Sequence, residues 1–379
     1  MSAVPPTTIE CGTSIAEPLV VQGLRDRNVR DRRVQAMLAE VGLDATAIDK
    51  KQDPCDDFYQ YACGGWLERT QIPADKARWG RGFDEISERN LITLREMLEQ
   101  AQKAGLRIHE SPNAAQYWVI MTGQTTPNRE DYCPQCAWTG EPGNGKSLDN
   151  ARKVRLAMNL AVNKKAIYSG LWKGRGGDTP FSYYYYPFHK GYSTDWKIPP
   201  HDPERAKKLL AEAGHAGGFE VRVNPYVQLV AQDGPDVMEA VALDWEKIGI
   251  KVKRVPEAAS SYGPKIRLRK TDKRFSVYGS PPFDEPVAAW ERVIHSKSAF
   301  NLLLDGVFDE DIDAAMRELD VERRTKLSRD LGQKLYDGYH GVMLGMKSLT
   351  WAMSKKVGSW PTLAYVPAET NYELITSGG

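Results

Sequence analysis

Long apolar runs are missing from this 379-residue chain, so no stretch reads as a membrane-spanning helix. Charge of one sign is missing as well. Lys plus Arg is 51 against 50 Asp plus Glu, a net charge of +1. That balance sets up no global field for nucleic acid or an acidic membrane. Histidine is sparse: His109, His189, His201, His215, His295 and His340 are scattered, with no HExxH and no two within three to five residues. A helical zinc-protease site needs two imidazoles on one helix face with a glutamate between them. Single surface histidines are the expectation, with no catalytic residue, metal or cofactor. The five cysteines (Cys11, Cys55, Cys63, Cys133, Cys136) are an odd set in a chain too long to be a disulfide framework. The opening MSAVPPTTIECGTSIAEPLVV lacks the charged and apolar regions of a secretory signal, and no lipoprotein-type apolar stretch precedes Cys11.

What is present suffices for a core. Hydrophobic residues make up 41% and aromatics 9%, which excludes a disordered chain. The length suggests about two to three domains. Short helices are expected at 32–41 and 56–67, the second stopped by Gly64-Gly65. A long amphipathic helix is expected at 83–103, where Phe83, Ile86, Leu91, Leu94 and Leu98 share a face and Gly105 is the stop. From about residue 106 the character changes. A short strand is expected at 117–121, a loop at 122–147, a helix at 150–168 and an irregular stretch at 174–201. Asp202 as N-cap, Pro203 in the first turn and Gly214 as stop delimit the clearest helix. A strand at 219–223, a helix at 236–248 and a strand at 250–255 follow. That order predicts a βαβ unit with parallel strands. A strand at 275–278 and helices at 309–319 and 322–338 complete an α/β reading with a helical N-terminal appendage.

Four local patterns carry possible chemistry. Residues 140–147 (GEPGNGKS) match GxxxxGK[ST], but the preceding YCPQCAWT is a poor strand; the plainer reading is a flexible loop before a helix. Cys133-Pro-Gln-Cys136 stays open between a structural disulfide or inert thiols, a metal half-site and a redox pair. Residues 251–274 hold nine bases against two acids, with Tyr262 the only aromatic inside the run. A solvated face, with no nucleic-acid partner, fits better. Tyr183 to Tyr186, with Phe181 and Phe188, suit a ligand cleft or loop packing on a sheet equally.

Two stretches resemble known families. Residues 48–105, with DPCDDFYQYACGGW and the RWG, FDE, N and L pattern after it, resemble the N-terminal segment of neprilysin-like zinc metallopeptidases. That resemblance implies that Cys55 and Cys63 lack their usual partners, and without HExxH it does not imply proteolysis. From about residue 110, the segments VRLAMNLAVNKKAI (154–167), DPERAKKLLAEAG (202–214), EAVALDWEKIGIKVKRV (239–255), FDEPVAAWERVIHSKSAFN (283–301) and LTWAMSKKVGSW (349–360) resemble family 5 extracellular solute-binding proteins. Those are the oligopeptide and dipeptide receptors of ABC importers.

The second resemblance implies an incomplete periplasmic-binding-protein type II-like lobe over 106–379. It follows a leader at 1–47, expected to be poorly ordered, and the peptidase-like segment at 48–105. It implies binding rather than catalysis, of a small peptide or cationic solute, with ABC importer membrane subunits as partners. It also implies a periplasmic or extracytoplasmic setting. Peptide receptors of this kind place an Asp before the segment matching FDEP; here that stretch reads YGSPPFDEP, with Pro281 and Pro282. Tyr278, Phe283, Asp284 and Glu285 are the expected cleft residues, because open α/β sheets bind ligands beyond strand ends. A carboxylate there would pair with a cationic group. The plainer reading is that Asp284 caps the following helix. Two rival expectations are a neprilysin-like fragment without its catalytic domain and a non-functional fusion of two gene fragments.

Overall fold

The computed structural model describes residues 105–124, 130–141, 143–180, 183–228, 230–298, 307–361 and 374–378, with isolated positions before them. The chain divides into two compact units, 1–97 and 98–379. The leader, the expected helix at 32–41 and nearly all of that at 83–103 lie outside the described residues. Gly65 and Glu68 are helical, so the Gly64-Gly65 pair does not end its helix as expected. A glycine inside a helix costs only about 1 kcal/mol, which neighbouring turns can offset.

Among the described residues, six strands form one mixed sheet: β1 Arg107–Ile120, β2 Gly176–Gly177, β3 Glu220–Val223, β4 Lys251–Arg254, β5 Arg274–Ser280 and β6 Gly341–Met353. Their order is β2-β6-β1-β5-β3-β4. Strands β3 and β4 run parallel, Val221 opposite Val252, so the expected βαβ unit is present. β5 is also parallel to β3, whereas β1 lies antiparallel between β5 and β6. The helices are α1 Gly145–Ala161, α2 Lys164–Ala166, α3 Pro203–Glu212, α4 Gly234–Lys247, α5 Ala259–Leu268, α6 Pro286–Val293, α7 Asp309–Arg317 and α8 Val321–Gly338. Among the described residues, none is long and apolar enough to cross a membrane.

Several boundaries differ from expectation for physical reasons. The strand expected at 117–121 begins ten residues earlier. Pro112 argues against a strand, but the β1–β6 register shifts between Ser111 and Ala115. A bulge there absorbs Pro112 and the left-handed Asn113. The helix expected at 150–168 is α1 and then α2, which runs on as one π turn, Ile167–Leu171. Helix α5 has no local signal, since Gly263 and Pro264 sit inside it. Tertiary contact holds it: the Tyr262 hydroxyl donates to the Arg274 carbonyl at 2.9 Å, and the Arg274 guanidinium lies 4.8 Å from that ring. Strand β6 was not expected either, being broken by Gly345. A Cβ there would meet the Gly177 carbonyl, so that glycine lets β2 approach.

The sheet has two unlike faces. On one, Tyr117, Val119, Phe275 and Val277 meet α1, α3 and α4 through Val154, Met158, Leu210, Val241 and Trp245. Asp202 caps α3 as expected, accepting from the Arg205 N–H at 3.0 Å. On the other, Trp118, Ile120 and Met343 meet α6, α7 and α8, with Tyr183 to Tyr186 layered between. That resolves the tyrosine cluster: all four side chains are buried, so it packs on the sheet.

Three other patterns also resolve. In GEPGNGKS, the Asn144 side chain accepts from the Ser147 N–H at 3.1 Å, and the Ser147 hydroxyl accepts from the Glu141 N–H at 3.0 Å. Turns rather than a strand lead into it, and its last three residues, Gly145 to Ser147, are the capped start of α1. Cys133 and Cys136 are joined as a disulfide. The basic run dissolves into pairs: Arg254 with Glu239 at 2.8 Å, Arg274 and Lys265 with Glu257 at 2.6 and 2.7 Å, Lys270 with Glu130 at 3.0 Å.

Candidate functional site

Strand β5 ends at Ser280, and its last turn is gripped from both sides. Gln228 clamps the Gly279 peptide, accepting its N–H at 2.6 Å and donating to its carbonyl at 2.9 Å. A Cβ on Gly279 would meet Ala231, so the clamp requires glycine. Beyond Ser280, residues 281–285 cross to the start of α6.

The expected residues take three different roles. Tyr278 is half-buried on the aromatic face, 6.3 Å from Trp118 between ring centroids. Burial raises its phenol pKa. Phe283 stands edge-on to Tyr184 at 5.3 Å, with the Arg292 guanidinium 5.7 Å from its ring. Glu285 is the N-cap of α6, accepting the Ala288 N–H at 2.7 Å, and it also pairs with Arg324 at 3.3 Å. Asp284, expected as the alternative cap, is exposed instead. The two carboxylates sit on adjacent residues; extended backbone at Glu285 (φ −144°, ψ 124°) aims it at the helix amides.

Residues without a sequence signal position this loop. His189 Nδ1 accepts the Tyr186 N–H at 3.2 Å, which leaves the proton on Nε2 to donate to the Phe283 carbonyl at 2.8 Å. Desolvation lowers the His189 pKa, which favours the neutral imidazole. The Trp290 indole donates to the Tyr183 carbonyl and ties the tyrosine segment to α6. Tyr183 and Tyr184 both have positive φ, 44° and 76°. Consecutive buried tyrosines in that region store strain that the surrounding packing must hold.

Beneath Tyr184, Gln116 of β1 lies directly across from Ser280 of β5. Gln116 is fully buried, and neither of its amide atoms has a partner at hydrogen-bonding geometry. Such a group costs about 1–3 kcal/mol. The site is therefore an aromatic ledge over a polar seam, with one exposed carboxylate at its tip. Among the described residues, no three or more His, Cys, Asp or Glu gather as a metal site.

Known proteins align with this architecture. Heme-binding protein A of Haemophilus influenzae is 33% identical over 136 residues, 35% of this chain and 24% of its own length. A dipeptide-binding protein of Pseudomonas aeruginosa is 26% identical over 223 residues, 54% of this chain and 39% of its own. The chain thus spans well under half the length of these relatives. An endothelin-converting enzyme homolog of Locusta migratoria is 47% identical over 58 residues, 15% of this chain and 7% of its own. That bears out the short peptidase-like resemblance. In structure, the periplasmic binding protein DppA from Helicobacter pylori, solved with the peptide STSA, matches with TM-score 0.55 and 19% identity. The match covers 72% of this chain and 49% of that one. The family model described as bacterial extracellular solute-binding proteins, family 5 Middle, matches residues 87–298. That span is more than half of the sequence, and the chain belongs to the family 5 bacterial extracellular solute-binding proteins.

Proposed function

We propose that this chain binds a small peptide or another cationic solute at the end of β5 and delivers it to the membrane subunits of an ABC importer, outside the cytoplasm. Phe283 and Tyr278 form the apolar wall, and Asp284 receives the solute's ammonium. The observation that carries this reading is the division of labour between neighbouring carboxylates. Glu285 is consumed by the α6 cap and Arg324, whereas Asp284, the residue after Phe283, stands exposed. A dipeptide-binding relative and a neighbour solved with a peptide support the solute class. In this reading, residues 48–105 are a peptidase-like passenger after a leader at 1–47, and binding rather than catalysis is the activity.

The test is a thermal-shift screen of the full chain against di- to pentapeptides, small organic cations and heme, followed by calorimetry on any positive. A ligand at about 100 times its Kd stabilises by about 2.7 kcal/mol, a rise of several degrees. Asp284→Asn should abolish the shift and leave the unliganded melting point unchanged. A shift that survives in Asp284→Asn would remove the ammonium assignment. Heme as the only stabilising ligand, or silence across the panel, would overturn the peptide reading.

A further inference from the structure

Away from the β5 site, the turn at 133–139 and the start of α1 enclose an open cleft of about 530 Å³. Cys136, Glu141, Asn144, Lys146, Ser147 and His215 are among its walls. The two halves of the disulfide are not equivalent. Cys133 is buried, its N–H donating to the Gly123 carbonyl at 3.0 Å, and it does not line the cleft. Cys136 does. Closing a loop of two intervening residues constrains the unfolded chain very little, so the bridge adds little as a staple. Its surroundings are those that activate sulfur. Lys146 supplies a positive charge, and α1 begins there. The Asn144 cap takes the Ser147 and Leu148 amides, not those of Gly145 and Lys146. The opposing charge, Glu141, accepts from Asn144 Nδ2 at 3.2 Å. Positive groups and helix N-termini stabilise a thiolate.

We propose that Cys133–Cys136 is a thiol–disulfide exchange site for low-molecular-weight thiols that carry an anionic group, with the Cys136 sulfur as the point of attack. The incoming thiolate attacks Cys136 Sγ. A mixed disulfide forms on Cys136, the Cys133–Cys136 bond breaks, and its electron pair leaves on Cys133 Sγ, which takes a proton from water. A second thiolate then attacks the small-molecule sulfur of the mixed disulfide. The small-molecule disulfide departs and the Cys136 thiolate remains beside the α1 N-terminus. Two external thiols are oxidised as one protein disulfide is reduced; the reverse sequence reloads the site.

The experiment treats the oxidised full chain under native conditions with 2-mercaptoethanesulfonate, an anionic thiol, or cysteamine, a cationic one. Acid quenching and peptide mass mapping then separate the Cys133 and Cys136 adducts from those on Cys11, Cys55 and Cys63. Adducts on Cys136 should exceed those on Cys133 by about tenfold, because access selects the attacked sulfur. The anionic thiol should react severalfold faster per thiolate. Lys146→Gln, a change at an exposed side chain, should narrow that ratio without moving the melting point. Equal labelling of both sulfurs, equal rates for the two thiols, or reduction that proceeds only in step with urea unfolding would each overturn the proposal. Cys133→Ser/Cys136→Ser fixes the background from the other three cysteines.

Discussion

The two faces of the sheet are built from the same six strands but do different work. The face under α1, α3 and α4 is mostly aliphatic, and most of its partly polar rings are satisfied: the Trp245 indole donates to the Met158 carbonyl at 3.0 Å and the Trp138 indole to the Thr122 carbonyl at 2.7 Å, with the Trp172 indole the exception. The face under α6, α7 and α8 is aromatic and strained. It holds two left-handed tyrosines, a buried Gln116 without a hydrogen-bond partner and the loop bearing Asp284. A face that only has to hold the fold can relax to a low-energy packing. On the proposed binding role, the aromatic face would retain costs that stability alone would remove.

Truncating the central indole on each face tests that contrast most strongly. Trp245→Ala and Trp290→Ala should each cost about 3–5 kcal/mol by urea denaturation. They should separate in function. At a temperature where both remain folded, Trp245→Ala should keep its thermal response to solute. Trp290→Ala should lose it, because the Tyr183 carbonyl is released. Equal loss in both would erase the distinction between the faces.

Lys164 offers a pH test where the two layers are tied together. Its ammonium donates to the Asn159 carbonyl at 2.5 Å, next to the aliphatic layer, and to the Pro199 carbonyl at 3.0 Å. Desolvation lowers its pKa from 10.5 to about 7, with Asp244 opposing the shift. The unfolded chain therefore holds more protons than the folded one between those values. Stability should rise as pH is raised from about 7 toward 10.5 and stay flat with respect to this group below 7. Urea midpoints across that range should show the slope in the native chain and a weaker slope in Lys164→Met.

Gln116→Met sharpens the comparison by reversing the usual sign. Replacing two unpartnered buried amide atoms with an apolar chain should raise stability by about 1 kcal/mol. A loss of that size would mean that the polar seam contributes to the fold. The smallest effect separates the two carboxylates: Glu285→Ala should cost about 1 kcal/mol as a lost cap. Asp284→Ala should stay within about 0.5 kcal/mol, as exposed positions do. Chemical denaturation resolves both.

Much of this was legible from residue order. Asp202, Pro203 and Gly214 bracket α3 with local chemistry, and the alternation at 219–223 followed by an amphipathic helix specifies β3–α4–β4. These signals act within a few residues, where chain connectivity already brings the groups together. Strand β6 and helix α5 were not legible, because Gly345, Gly263 and Pro264 contradict them locally and distant partners override the contradiction. The ledge was half legible. Tyr278, Phe283, Asp284 and Glu285 stood out together, but His189, Gln116, Gln228 and Trp290 carried no signal. Each acts on a residue about 50 to 160 positions away in sequence.

Residue order alone therefore settled the α/β class, the parallel βαβ unit, the kinship with solute-binding receptors and the peptidase-like segment. It left open whether the tyrosines form a core, which of two adjacent carboxylates is the cap, and whether Cys133 and Cys136 are bonded. Those choices depend on burial and on contacts between residues far apart in the chain. A side chain's environment is set by whatever the folded chain places against it, and no local pattern records that.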